Sequence, residues 1–258
     1  MNAPAVAFAE WHARLEDACR GLQAIRGVVA LADTASTQDA PETRAAAAGT
    51  LVTAWRQTAG RGRFGRNWAD TGTEGVAASF VVEAQSSERL ALIGAIAAAQ
   101  ACESALGAAV GIKWPNDTIV GGRKLAGVLI ERRGELAVIG VGINVSQKLF
   151  DGELAARATS LAMLGAHADR VDVLCALIRS LDGALAATDE ALVAGFHARD
   201  ALRGARALFA TPDGPVEGEV RSIDPMHGLV VRTETGERFL PAQSTSVAEW
   251  GGVRVRAL

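Results

Sequence analysis

Arginine and glycine interleave in the run Gln57-Thr58-Ala59-Gly60-Arg61-Gly62-Arg63-Phe64-Gly65-Arg66-Asn67-Trp68. Three glycines free the backbone for unusual dihedrals and close approach to a ligand, while Arg61, Arg63 and Arg66 bring three permanent cations within six residues. Converging N–H groups and guanidinium forks suit a phosphate or a carboxylate, because each fork matches two oxygens at once. Three rivals compete: a solvated basic turn, a nucleic-acid contact, and the dinucleotide fingerprint that Gly60-x-Gly62-x-x-Gly65 formally fits. A net charge of −3 and a pI near 5.9 supply no wider basic surface for a polyanion. The fingerprint needs a helix opening at the glycines, and Asn67 to Gly75 has no apolar 3.6-residue period. The loop is instead expected to lead straight into a strand over Val76–Glu83, and to be mobile without ligand, since glycines hold it weakly and its cations repel.

Other chemistry-bearing residues are spread along the chain. Ser36 and Thr37 lie in a polar stretch, Asp33 to Asp39, where they either cap a following helix or hydrogen-bond a neutral polar ligand. Lys113 precedes Trp114-Pro115, where a strand must break, and Asn116-Asp117 makes the turn. Lys124 and Gly127 follow in Gly122-Arg123-Lys124-Leu125-Ala126-Gly127. Gly140-Val141-Gly142-Ile143-Asn144 ends a strand with glycines, which lets something sit against the backbone, and Asn144 offers it both donor and acceptor. Cys19, Cys102 and Cys175, with His12, His167, His197 and His227, have no metal-ligand or disulfide spacing. No G-x-S-x-G is present, so zinc hydrolysis and serine-esterase chemistry have no support.

These residues need elements to hold them. Phe8, Trp11, Leu15, Ala18, Cys19 and Leu22 space out an amphipathic helix over Ala7–Ile25, ended by Gly27. Strands are expected at Val28–Leu31, Thr50–Trp55, Val76–Glu83, Val128–Arg132 and Leu136–Gly142, and helices at Ala40–Ala48, Leu90–Leu106, Val171–Leu185 and Asp189–Arg199. Asp151–Leu164 reads as connecting structure. From Arg203 short β-branched runs alternate with turns, the pattern of a small all-β appendage. The expected division is 1–203 and 204–258. No secretory leader is apparent, and the longest apolar run, around Leu90–Cys102, is too short and alanine-rich for a bilayer, so a cytoplasmic protein without a membrane partner is expected.

Four motifs in order, Q-T-A-G-R-G-R-F-G-R-N-W at 57–68, K-W-P-N-D at 113–117, G-R-K-L-A-G at 122–127 and G-V-G-I-N-V at 140–145, resemble the biotin protein ligase family. The resemblance implies an α+β fold, a mixed and mainly antiparallel sheet packed with helices, followed by a small C-terminal β-barrel. It implies ATP and biotin as substrates with Mg²⁺, a biotinyl-5′-AMP intermediate, and transfer to a lysine of a biotin carboxyl carrier protein. Ser36, Thr37, Gln38, Gln57, Gly60, Gly62 and Gly127 would then surround biotin. Arg61, Arg63 and Lys124 would meet the carboxylate and phosphate, with Arg66, Trp68, Lys113, Asn116 and Asn144 on the nucleotide side. Asp117 is left with three roles: orienting Lys113, placing the metal, or accepting a proton from the incoming lysine.

Gln38 departs from the family's usual asparagine. About 33 residues precede the Ser36 loop, too few for the winged helix of repressor-type ligases, so no DNA partner is expected. Monomer and homodimer both stay open, and lipoate ligation is the alternative on the same fold.

Overall fold

The computed structural model describes residues 3–62, 67–68, 72–250 and 253–254. Helix α1 (Ala3–Ala18) is followed by β1 (Gly27–Thr34), α2 (Pro41–Ala45), β2 (Thr50–Gln57) and a two-stranded ribbon of β3 (Gly60–Arg61) and β4 (Asn67–Trp68). Next come β5 (Gly75–Glu83), α3 (Ser87–Leu106), β6 (Gly111–Lys113), β7 (Asp117–Val120), β8 (Arg123–Arg133) and β9 (Leu136–Asn144). Strands β1, β2, β5, β9, β8, β7 and β6 form, in that order, one seven-stranded sheet, antiparallel throughout except for the β1–β2 pair.

Alternation along the strands decides what each face meets. Ala137, Ile139, Val141 and Ile143 of β9, with Val76, Ala78, Phe80 and Val82 of β5, are buried in the hydrophobic core. Helix α3 lies over β8 and β9 there, and α5 (Arg170–Ala186) packs on α3. Short α4 (Leu154–Arg157) precedes α5, and α6 (Asp189–His197) follows it. The hydroxyl of Ser86 accepts the Arg89 N–H and caps α3, while Gly107, at φ 66°, closes it in the left-handed conformation that favours glycine. Over its 20 residues α3 is long and apolar enough to cross a membrane by length and composition alone, in contrast to the shorter run read in the sequence. Its buried residues are spent on the sheet and on α5.

Two expected helices are shorter than their periodicity suggests. Helix α1 stops at Ala18 rather than Ile25, because the buried Asp182 carboxylate of α5 accepts the N–H groups of Gln23, Ala24 and Ile25. Those donors leave helical geometry for a charge-assisted partner. Helix α2 covers five residues; Pro41 supplies its first turn, but Ala46 is already extended and no side chain caps it. Ser36 and Thr37 therefore do not cap α2.

The C-terminal strands are β10 (Arg206–Thr211), β11 (Gly214–Asp224), β12 (Gly228–Thr233), β13 (Gly236–Pro241), β14 (Ser246–Trp250) and β15 (Val253–Arg254), paired in the order β13-β12-β11-β10-β14-β15. This is an open six-stranded sheet and not the expected barrel. Among the described residues β13 pairs with β12 alone, and its residues Gly236–Phe239 are solvent-exposed, so the two ends of the sheet do not meet. Buried Trp114 joins the two sheets by donating its indole N–H to the Pro225 carbonyl at 3.1 Å.

Arg170 fixes the point where the chain re-enters the large sheet. Its guanidinium stacks 4.0 Å from the Trp55 ring centroid and donates to the carbonyls of Trp55 and Gly75. Burial among these groups pulls its pKa down to about 10, opposed by Asp169.

Candidate active site

The sheet face away from the helices carries the site. Strand register places Ala77, Gly142, Gly127, Asp117 and Lys113 in one row across β5, β9, β8, β7 and β6. Residues paired in this way project to the same side, so three small residues make a trough that ends in an anion and a cation. A cavity of about 490 Å³ opens above it. The Trp68 indole lies in the trough: a Cβ at Gly142 would stand 2.6 Å from its Cε2, and one at Gly127 would stand 3.3 Å from its Cζ3. The close approach requires glycine at 142, whereas at 127 a side chain would first displace the flexible end of Lys124.

A polar wall rises at one end. The backbone N–H and hydroxyl of Thr37 approach Gln57 Oε1 at 2.8 and 3.2 Å, which turns the Gln57 amide toward the 36–38 turn. Ser79 of β5 sets its hydroxyl 2.9 Å from Thr37 Oγ1 and 3.1 Å from Gln38 Oε1. The Gln38 amide occupies the space above Gly140, where a Cβ would be only 2.4 Å from its Oε1. The longer side chain at this position is thus accommodated by a glycine on β9.

The charged wall lies across the trough. Lys124 Nζ is 2.6 Å from Asp117 Oδ1, and the lysine's end lies directly over Gly127. Lys113 is the register partner of Asp117 across the hairpin that turns at Trp114-Pro115-Asn116, with the Trp114–Pro115 peptide cis. Buried Asn116 donates to the Val128 carbonyl and buried Asn144 to the Thr159 carbonyl, so each spends amide hydrogen on holding backbone. Arg61 lines the cavity mouth, ion-paired to Asp39 and Glu131.

Of the residues expected from sequence, Ser36, Thr37, Gln38, Gln57, Arg61 and Gly62 line this one cavity. Trp68, Lys113, Asn116, Asp117, Lys124, Gly127 and Asn144 line it too. Gly60 does not. It is packed in β3, where a Cβ would be 2.4 Å from Gln57 Nε2 and 2.9 Å from Trp68 Cβ. No helix begins at Gly60, which removes the dinucleotide reading. Arg63 and Arg66, and with them the expected loop mobility, lie outside the described residues.

Some lining residues escaped the sequence reading. Glu153, Leu154 and Arg157, from the stretch read as connecting, form a third wall with the preceding Phe150, and Val247 and Trp250 reach in from β14. The backbone of Lys124 fixes the third wall by accepting the Thr159 N–H. Phe150 and Leu154, two apolar residues four apart in a charged stretch, are the signal that the sequence held there.

Known proteins resemble this chain in sequence and in fold. Residues 33–145 match the model of the biotin/lipoate A/B protein ligase family. The chain is 36% identical over 189 residues to the biotin–[acetyl-CoA-carboxylase] ligase of Mycobacterium tuberculosis, covering 68% of this chain and 70% of that one. It is 41% identical over 138 residues to the bifunctional ligase/repressor BirA of Bacillus subtilis, across 49% of this chain but only 42% of that relative. The biotin protein ligase of Aquifex aeolicus, solved in complex with biotin and ATP, superposes with a TM-score of 0.78 at 26% identity, over 86% of this chain and 99% of the other. With the Mycobacterium tuberculosis ligase and that of Paracoccus denitrificans, which is 30% identical and covered over 87% of its length, the chain belongs to the biotin/lipoate A/B protein ligase family, on its biotin protein ligase side.

Proposed function

We propose that the chain is an ATP-dependent ligase that activates biotin as biotinyl-5′-AMP and transfers it to a lysine of a biotin carboxyl carrier domain. One observation carries this reading: a single cavity joins a neutral hydrogen-bonding wall to a cationic one across an apolar trough. Biotin has that pattern, with a polar ureido ring at one end, an aliphatic chain, and a carboxylate at the other.

In this reading Ser36, Thr37, Gln38 and Gln57 bind the ring system, which offers donors and acceptors together as those side chains do. Arg61, Lys124 and, outside the described residues, Arg63 receive the carboxylate and the α-phosphate. Bringing one anion to another costs Coulomb energy that fixed cations offset most where charge accumulates in the transition state. No base is needed for adenylation, because the nucleophile is already a carboxylate. The ion pair with Asp117 holds Lys124 over Gly127, which favours an orienting role for Asp117 toward Lys124 rather than toward Lys113 alone.

Lys113, Asn116, Asn144, Arg66 and Trp68 take the nucleotide side, with Arg157 and Trp250 as additions. Asp117 and Glu153 are carboxylates at this end, the donor type that Mg²⁺ takes in ones or twos alongside phosphate oxygens, so they are the residues fitted to hold it. The ion would neutralise polyphosphate charge. Residues 1–203 are assigned the chemistry and 204–258 a wall of the nucleotide side. Three free, buried cysteines suit the cytoplasm, and a net charge of −3 weighs against a nucleic-acid partner.

The test is pyrophosphate release in the presence of ATP and Mg²⁺, with biotin and lipoate supplied in parallel. Release with biotin is expected; release with lipoate alone overturns the reading in favour of a lipoate ligase.

A further inference from the structure

Arg61 lines the cavity, but the two carboxylates that hold it do not. Asp39 takes it in two places, Oδ2 to Nε at 2.6 Å and Oδ1 to one terminal nitrogen at 3.0 Å. Glu131 Oε1 approaches that same terminal nitrogen at 2.6 Å. Behind Glu131, Arg133 lies 3.3 Å from its second oxygen and donates to the Gln38 carbonyl at 2.6 Å. Arg44 stands 3.9 Å from Asp39. The clamp therefore ties three elements together at the mouth: the 36–39 turn that carries the polar wall, strand β8 that carries the trough, and the β3–β4 ribbon that carries Trp68.

We propose that Asp39 and Glu131 are positioning residues, which fix the Arg61 guanidinium and the base of the arginine–glycine ribbon at the cavity mouth. This rests on the ligase reading above. Neither carboxylate needs to touch substrate; both act through Arg61. Magnitude separates this role from a stabilising one. Arg61 and Asp39 are 40% and 39% exposed, and half-exposed ion pairs add little to folding. The same small energies, spent on the orientation of one side chain, act directly on how well an arriving carboxylate is met.

The experiment is a mutant cycle with Asp39→Asn/Glu131→Gln and Arg61→Ala. In the wild-type background the double substitution is expected to raise the KM for biotin about 5- to 30-fold, the range two or three such ion pairs can supply. Expected kcat stays within about threefold, since the reacting cations themselves are retained. In the Arg61→Ala background the same substitutions are expected to add nothing, because their effect runs through the missing guanidinium. An unchanged KM, or an equal rise with Arg61 absent, overturns the proposal.

Hydrogen exchange without ligand tests it independently of activity. Peptides carrying Gly60–Arg61 and Asn67–Trp68 are expected to exchange faster in the double variant, and identical exchange overturns the clamp. A wild-type chain that releases no pyrophosphate with biotin would defeat the ligase reading instead, and the exchange result would then decide the clamp alone.

Discussion

Lys124 concentrates the residue-scale chemistry, because its ammonium is held between Asp117 and the trough. Lys124→Ala, and Arg63→Ala on the loop, are expected to lower adenylation by about 10²- to 10³-fold, the cost of losing one preorganised charge at a reacting oxyanion. Lys124→Ala should melt like the wild type, since the Lys124 side chain is 37% exposed. Wild-type turnover in both would remove the assigned reaction centre. Gly140 gives a subtler case. An alanine there meets the far end of Gln38, a flexible group that can swing away, so a stability change within about 1 kcal/mol is expected. The displaced amide should nevertheless raise the KM for biotin, and an unchanged KM would show that Gln38 does not meet the ligand. At this scale the sequence was informative wherever neighbours in the chain stay neighbours in space. Gln57, Arg61, Gly62 and Trp68, the Lys113–Asp117 turn, Lys124 with Gly127, and residues of Gly140–Asn144 all border one cavity. Ser79, Asp39 and Glu131 were missed because their partners are about 40, 22 and 70 residues distant, and each alone reads as an ordinary strand or turn residue.

Elements were legible where periodicity was strong and their ends were set locally. Helix α3 begins at Ser86 and ends at Gly107 through its own cap residues, and the helix expected over Leu90–Leu106 lies within it. Helix α1 ends early for a non-local reason, the reach of Asp182 from α5 across 157 to 159 residues of chain. That carboxylate accepts three N–H groups while buried. Asp182→Ala would leave them without their partner and is expected to cost about 2 to 4 kcal/mol. A lower urea midpoint with normal biotin KM in the folded protein is the expected pair of results. A midpoint equal to the wild type's would mean that water replaces the carboxylate freely. Gln23, Ala24, Ile25 and Asp182 do not line the cavity, so a loss of stability and a loss of chemistry can be told apart here.

At the scale of the molecule, the cysteines make alkaline pH a probe of core integrity. Burial pushes the Cys102 thiol up from 9.0 to about 12, and raises Cys19 and Cys175 in the same direction. Below pH 9 the folded and unfolded chains both keep the Cys102 proton, and the group adds no pH dependence. Between pH 9 and 12 the unfolded chain has released it and the folded chain has not, so stability falls as pH rises. The fall is up to about 1.4 kcal/mol per pH unit for this thiol. Urea midpoints at pH 8 and pH 10 for the wild type and Cys102→Ala check it, and an equal drop in both would assign the loss to other groups. The strands after Arg203 were legible from short β-branched runs between turns, whereas the open edge of their sheet was not, because closure depends on whether the outermost strands reach each other. Nor does pattern reveal that β14 lends Val247 and Trp250 to the cavity, or that Trp114 is bonded to Pro225.

The indole lying across the paired glycines gives the protein a built-in optical reporter. Trp68 is one of five tryptophans, and its ring sits 5.6 Å from the Lys124 ammonium, whose field bears on the excited state. A guest that settles in the trough changes the polarity around this chromophore and the distance to that charge together. Intrinsic emission is therefore expected to shift on adding biotin with ATP, and to lose most of that shift in Trp68→Phe. Occupancy could then be followed in real time without a label.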